Sequence, residues 1–140
     1  MPATHNAILS LDVGEKWVGV AMASLIARLP SPLVTLERND QFFQALKDLI
    51  AAEDAGMLVI GLPRGLSGQE TGQTQAIHAF IAELKEHVDL AIHLQDEAVT
   101  SAQAETELQK RGKIYSRGDI DALAATYILE DFLAEHKELI

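Results

Sequence analysis

Ile8-Leu9-Ser10-Leu11-Asp12-Val13-Gly14-Glu15-Lys16-Trp17-Val18-Gly19-Val20-Ala21-Met22-Ala23 reads as a strand, a tight turn and a second strand. Ile8, Leu9, Leu11 and Val13 form an apolar run long enough for a buried strand. Asp12 interrupts that run, and an ionised carboxylate in a buried strand is costly unless something pairs with it. Gly14 breaks the strand, and the β-type pattern resumes at Trp17. An acid therefore stands at the mouth of a hairpin, at the end of a strand that should be central. It either caps the turn or serves as a metal ligand or phosphate-site acid, and the second role needs partners elsewhere in the chain.

The rest of the chain sets the frame for those partners. Its 140 residues suit one domain, 1–140, with a full core. A hydrophobic fraction of 48% argues against disorder. No apolar span reaches membrane length and no leader pattern opens the sequence, so a cytoplasmic protein without a membrane partner is expected. The absence of cysteine excludes a disulfide framework and a thiolate metal site.

The formal net charge of −10 argues against nucleic-acid binding when taken alone, because such binding rests on phosphate neutralisation by Lys and Arg. The distribution matters more than the sum. Lys110, Arg111, Lys113 and Arg117 fall in one short stretch with no acid between Glu107 and Asp119. One loop is basic on an otherwise strongly acidic molecule; it is either a solvated loop or a phosphate-binding one.

Outward from the hairpin, Arg28-Leu29-Pro30-Ser31-Pro32 is a proline-punctuated turn, and Leu33 to Leu36 is a short third strand antiparallel to the second. Asn39-Asp40 can cap a helix starting near Gln41, with Phe42, Phe43, Leu46, Leu49 and Ile50 on one face. Met57 to Gly61 is a buried strand of a parallel sheet. Leu62 to Gly68 is a loop, and a helix follows from about Thr71. Leu90 to Gln95 is the next strand and runs into Asp96-Glu97. Thr100 or Ser101 caps a helix to Lys110, and Asp119 caps a last helix carrying Ile120, Leu123, Ala124, Tyr127, Ile128, Leu129, Phe132 and Leu133. The order βββαβαβαα implies an α/β fold: a mixed sheet of five strands with helices on both faces.

Active sites in such sheets gather at the carboxyl ends of the strands. Asp12 lies near the end of the first strand, Asp96 and Glu97 at the end of the last, and Asp119 and Asp121 at the start of the final helix. Each acid alone has an ordinary structural role as a cap or turn residue. Together, carboxylates of such different origin repel one another unless a cation holds them. Hard oxygen ligands select Mg²⁺ or Mn²⁺. Two such ions, about 3.5–4 Å apart, clamp the attacking and leaving oxygens of a phosphoryl transfer.

At this point the chain resembles the YqgF (RuvX) group of RNase H-like Holliday junction resolvases, a group also assigned to maturation of pre-16S ribosomal RNA. Leu11 to Ala21 resembles the family's Asp-x-Gly-x-x-x-x-Gly-Val-Ala hairpin. Val59 to Gly68 resembles its Gly-Leu-Pro loop, Asp96 to Glu105 its Asp-Glu-Arg-x-Thr block, and Asp119 to Ala125 with Ile128-Leu129 its last helix. Each motif alone is weak, and four in order over nearly the whole chain are specific. Two positions depart from the pattern: Ala98 stands where the family has Arg, and Leu25 stands where an acid is common.

The resemblance implies an RNase H-like fold and a metal-dependent nuclease that cuts phosphodiester bonds in pre-rRNA or branched DNA. It makes Asp12, Glu97 and Asp121 the catalytic, metal-binding acids, with Asp119 as a helper and two Mg²⁺ or Mn²⁺ ions as cofactor. Lys110, Arg111, Lys113 and Arg117, with Lys16 in the hairpin turn and Arg64 in the Gly-Leu-Pro loop, would then hold the nucleic-acid backbone. Symmetric cutting of a four-way junction would call for a homodimer.

Trp17 could stack on a base or pack on the outer face of the hairpin, and packing is the favoured expectation for a single Trp. His78, His87 and His93 have no spacing that suggests a shared metal. Two rival functions follow from the same residues. One is an RNase H-like module that binds RNA or a protein and cuts nothing, which Ala98 and the acidic surface favour. The other is an actin-like nucleotide-binding half-domain, which the single phosphate hairpin disfavours.

Overall fold

The computed structural model describes residues 6–63, 72–97, 106, 109–110 and 117–136. Their elements run β1 (Ala7–Val13), β2 (Trp17–Ser24), β3 (Ser31–Glu37), α1 (Phe42–Glu53), β4 (Ala55–Pro63), α2 (Gly72–His87), β5 (Ala91–Glu97) and α3 (Arg117–Glu135). The five strands form one sheet in the order β3-β2-β1-β4-β5. β1, β2 and β3 are an antiparallel meander, while β4 and β5 run parallel to β1. This is the mixed sheet expected from the sequence, and β1 is its middle strand.

Strand alternation sends neighbouring side chains of β1 to opposite faces. Leu9 and Leu11 join Val18, Val20, Leu58, Ile60 and Leu62 in a core against Phe42 and Leu46 of α1 and Ile77, Phe80, Ile81 and Leu84 of α2. Ile8 joins Ala23 and Val59 on the other face, against Ile128, Leu129 and Phe132 of α3. Helices therefore cover both faces, as a sheet with a buried middle strand requires.

The α3 face is lined by small residues where the helix crosses the sheet. The Ser10 hydroxyl donates to the Ala125 carbonyl at 2.7 Å, and the Thr35 hydroxyl donates to the Gly118 carbonyl at 2.6 Å. A Cβ placed on Gly61 would overlap the Ile128 side chain. Further along the helix, the Phe132 ring lies 5.5 Å from that of His93, and the Gln95 amide donates to the Glu135 carboxylate at 2.7 Å. These contacts trace a diagonal from β3 at the N-terminal end of α3 to β5 at its C-terminal end.

Several boundaries differ from the sequence reading. β3 begins at Ser31 rather than after Pro32, because it is an edge strand and its bulged pairing at Val20/Ala21 accommodates a proline without a ladder N–H. Asn39 does not cap α1; its side-chain oxygen accepts from Gln41 N–H at 2.9 Å, an Asx turn one residue ahead of the helix. The chain passes from α1 to β4 through Asp54 alone, in the left-handed conformation with φ 52°, so β4 starts at Ala55. α3 starts at Arg117, which makes Asp119 a first-turn residue instead of the cap. The helix expected from Thr100 or Ser101 to Lys110 lies outside the described residues, apart from helical Thr106, Gln109 and Lys110.

Candidate active site

Asp12 is the penultimate residue of β1 and shares the alternation of Ile8 and Ser10, so it belongs to the α3 face. It is half-buried. Its cross-strand partner on β2 is Gly19. Gly19 in turn lies directly beneath α3: a Cβ at that position would overlap the carbonyl of Asp121 and stand 2.8 Å from the amide nitrogen of Ala122. The sheet and the helix therefore meet backbone to backbone at Gly19, and this close approach brings residues 12 and 121 together across 109 positions of sequence.

Asp121 is buried, with 6% of its surface exposed, while Asp119 is exposed. Two residues of helix separate them by about 200°, so they cannot share a face. Asp121 belongs to the site side of the helix and Asp119 to its outer side. The helper role expected for Asp119 is not one the geometry brings to the acid pair.

Glu97 ends β5, where its backbone pairs with Pro63 of β4; its side chain lies outside the described residues. Position 97 follows Gln95 in the row that faces α3. The registers put Gln95 level with Gly61, and Leu11 level with Ile60, so Asp12 and Gln95 stand in one row with β4 between them. Two strand spacings and two residues of rise then separate the Cα atoms of residues 12 and 97 by about 12 Å. Two extended carboxylates and a cation pair can span that distance. Among the described residues, no group of three or more His, Asp or Glu side chains converges on a metal-sized space.

The donor set suits a hard divalent ion. Asp12 and Asp121 offer only carboxylate oxygens, one half-buried and one buried, on a rigid strand and a rigid helix. Carboxylate oxygens are hard ligands of the kind that divalent cations take.

The expected cations divide into two groups. Lys16 is exposed in the hairpin turn beside the acid pair. Lys110 is exposed and helical. Arg64, Arg111 and Lys113 lie outside the described residues, as does the Pro63–Gly68 loop beyond Pro63 and the Ala98 position; Arg117 opens α3, and its side chain is likewise outside them.

Sequence reading missed Arg38. Its guanidinium donates to the Gly14 carbonyl at 2.8 Å and lies over the Phe80 ring at 5.1 Å, while its backbone N–H donates to the Lys16 carbonyl at 2.7 Å. One residue thus ties the hairpin turn at the site to β3 and α2. No periodicity marks it, since its role comes from three segments that meet only in the fold. Gly19 had a usable signal: a glycine inside a strand, level with an acid, often marks a close backbone approach. His87 and His93 are ring-packing residues, stacked on Phe43 at 4.1 Å and placed against Phe132.

The family model described as RuvX, Holliday junction resolvase, matches residues 6–135. A protein of Maridesulfovibrio salexigens named "Putative pre-16S rRNA nuclease" is 39% identical over 132 residues, covering 91% of this chain and 97% of that protein. A protein of the same name from Thermoanaerobacter pseudethanolicus is 35% identical over 136 residues, covering 93% and 97%. Among solved structures, RuvC of T. thermophilus in complex with Holliday junction substrate superposes with TM-score 0.55 at 13% identity, over 95% of this chain and 97% of that one. The Fowlpox virus resolvase with Holliday junction DNA gives 0.52 at 12% identity, over 96% and 99%. At these identities the structural likeness establishes the RNase H-like fold.

Proposed function

The chain belongs to the RuvX family of Holliday junction resolvases, and from that membership we propose that it is a divalent-metal-dependent endonuclease acting on structured nucleic acid. The names of its relatives favour pre-16S ribosomal RNA as substrate, with a four-way DNA junction second. The observation that carries the proposal is the meeting of Asp12 and Asp121 over Gly19. Two carboxylates from opposite ends of the chain, one of them buried, offer hard oxygen ligands that a shared cation would use.

Asp12, Asp121 and Glu97 would hold one or two Mg²⁺ or Mn²⁺ ions. A bound cation of this kind lowers the pKa of a water and stabilises the leaving oxygen of a phosphodiester. The chain's own contribution is placement. Asp12 is fixed by a middle strand hydrogen-bonded on both sides, and Asp121 by a helix seated on the sheet. Burial of Asp121 restricts its rotamers.

Lys16 stands where a phosphate entering the site would pass. Lys110, Arg111, Lys113, Arg117 and Arg64 would add affinity along the backbone without reading base sequence. No described helix is long and apolar enough to cross a membrane, and we place the protein in the cytoplasm with its substrates. On a four-way junction it would act as a homodimer, one site per cut.

The test is cleavage of a pre-16S rRNA fragment and of a four-way junction in Mg²⁺ and in Mn²⁺, with Asp12→Asn as comparison. Metal-dependent cutting by the wild type and none by the variant is the expected result. Equal cutting by both would assign the activity to a contaminant and remove Asp12 from the site. Tight binding without cutting in either metal would favour the non-catalytic module.

A further inference from the structure

Trp17 is the sole tryptophan of the chain, and the structure does not bury it. It is 43% exposed and belongs to neither of the apolar clusters that fill the two faces of the sheet. The outer-face position expected from the sequence leaves part of its ring open to solvent. Alternation along β2 sets Val18 and Val20 against α1 and α2, and Gly19 against α3, so Trp17 falls on the face of Gly19. It stands one residue pair from Gly19, about 7 Å along the strand. An indole is thus held at the rim of the Asp12–Asp121 pair, on the same face and beyond the end of β1.

The mount is rigid. The Trp17 carbonyl accepts from the Gly14 N–H at 2.8 Å, and a side chain on Gly14 would press on that carbonyl at the same 2.8 Å. The Gly14 and Lys16 carbonyls are both held by Arg38, which is itself anchored over Phe80. Across the strand pair stands exposed Glu37, and next along the chain is exposed Lys16. Glu37 disfavours a phosphate directly over the ring, while Lys16 favours one beside it. The neutral face of a base is the part of a nucleotide that suits the ring itself.

We propose that Trp17 is a stacking platform for an unpaired nucleobase next to the phosphate that a cation at Asp12 and Asp121 would hold. The inference rests on the nuclease function proposed above and narrows its substrate. A base reaches the indole only if it has left its own helical stack, so the platform selects single-stranded or splayed nucleotides at the cut over continuous duplex.

The single tryptophan makes its own reporter. Wild-type protein is titrated at low salt with Ca²⁺ in place of Mg²⁺, to occupy the acids without supporting cutting, with a ten-nucleotide unstructured RNA, an abasic strand of equal length, and a blunt duplex. The RNA should quench and shift the Trp17 emission to saturation, and the abasic strand and duplex should leave it largely unchanged. In anisotropy with labelled RNA, Trp17→Ala should weaken binding by about 5- to 150-fold, and Trp17→Phe should restore most of it. Thermal melts of both variants control for folding. Equal quenching by the abasic strand, no quenching by RNA, or unchanged affinity in Trp17→Ala would overturn the proposal. Because the readout is stacking and not cleavage, it can fail while the Asp12-dependent nuclease stands, and the reverse.

Discussion

Gly19 supports Asp121: the glycine of β2 has no side chain, and the carbonyl of the helical aspartate occupies the space where one would be. The acid pair exists because of that vacancy, since Gly19 is also the cross-strand partner of Asp12. Gly19→Ala should push α3 off the sheet, because the obstruction is backbone and cannot rotate away. Overpacking of this kind costs about 1–3 kcal/mol. The expected outcome is a lowered melting temperature together with loss of cleavage, measured on the same preparation. Normal activity in Gly19→Ala would mean that the close approach does not set the site.

Ser10 is the next point of contact along the same helix. Its buried hydroxyl donates to the Ala125 carbonyl at 2.7 Å. Ser10→Ala removes one hydrogen bond without adding volume, so it should cost about 1 kcal/mol in urea denaturation with an unchanged m-value. Cleavage should persist, because the contact seats α3 without touching the acids.

Phe132 anchors the far end of α3. It is fully buried and packs its ring between His93 at 5.5 Å and His136 at 4.6 Å. Phe132→Ala should destabilise by about 3–5 kcal/mol. Chemical denaturation checks the magnitude, and a loss under 1 kcal/mol would contradict the packing described here.

Arg38 holds the hairpin turn through the Gly14 carbonyl and Phe80. Arg38→Ala should loosen the turn that carries Lys16 and Trp17, lowering cleavage more than it lowers the melting temperature. Arg38→Lys should recover little, because an ammonium lacks the planar fork that bonds the carbonyl and lies flat on the ring.

The four cations from Lys110 to Arg117 act through phosphate neutralisation. Replacing all four with glutamine should lower the salt slope of RNA affinity by about 3, at roughly 0.7 per phosphate contact on a single strand. An unchanged slope would exclude that stretch from the nucleic-acid path.

The fold was legible in sequence because its strands are bounded by strong signals. The Ile8–Ala23 hairpin carries a glycine turn, and Met57–Gly61 is a pure apolar run. Boundaries failed where context outweighs propensity: Pro32 enters a strand only because β3 is an edge, and Asp54 ends α1 in a left-handed turn that no residue pattern announces. Asp12 was legible as an expensive acid in an apolar strand. The motif match ranked Asp121 above Asp119, but the physical reason was not legible, because it depends on where α3 begins and on which side of it meets Gly19. Arg38 was invisible for the same reason: its three partners are distant in sequence.

In the proposed function Asp12 and Asp121 share a divalent cation. The direct measurement is Mn²⁺ titration of the wild type, Asp12→Asn, Asp121→Asn and the double variant, without nucleic acid, by calorimetry or by electron paramagnetic resonance of free Mn²⁺. The wild type should bind Mn²⁺, and each single variant should lose roughly tenfold or more in affinity. The double variant should lose little beyond either single one, because the two carboxylates act on one site. Wild-type affinity in either single variant, or two independent and additive losses, would contradict a shared cation.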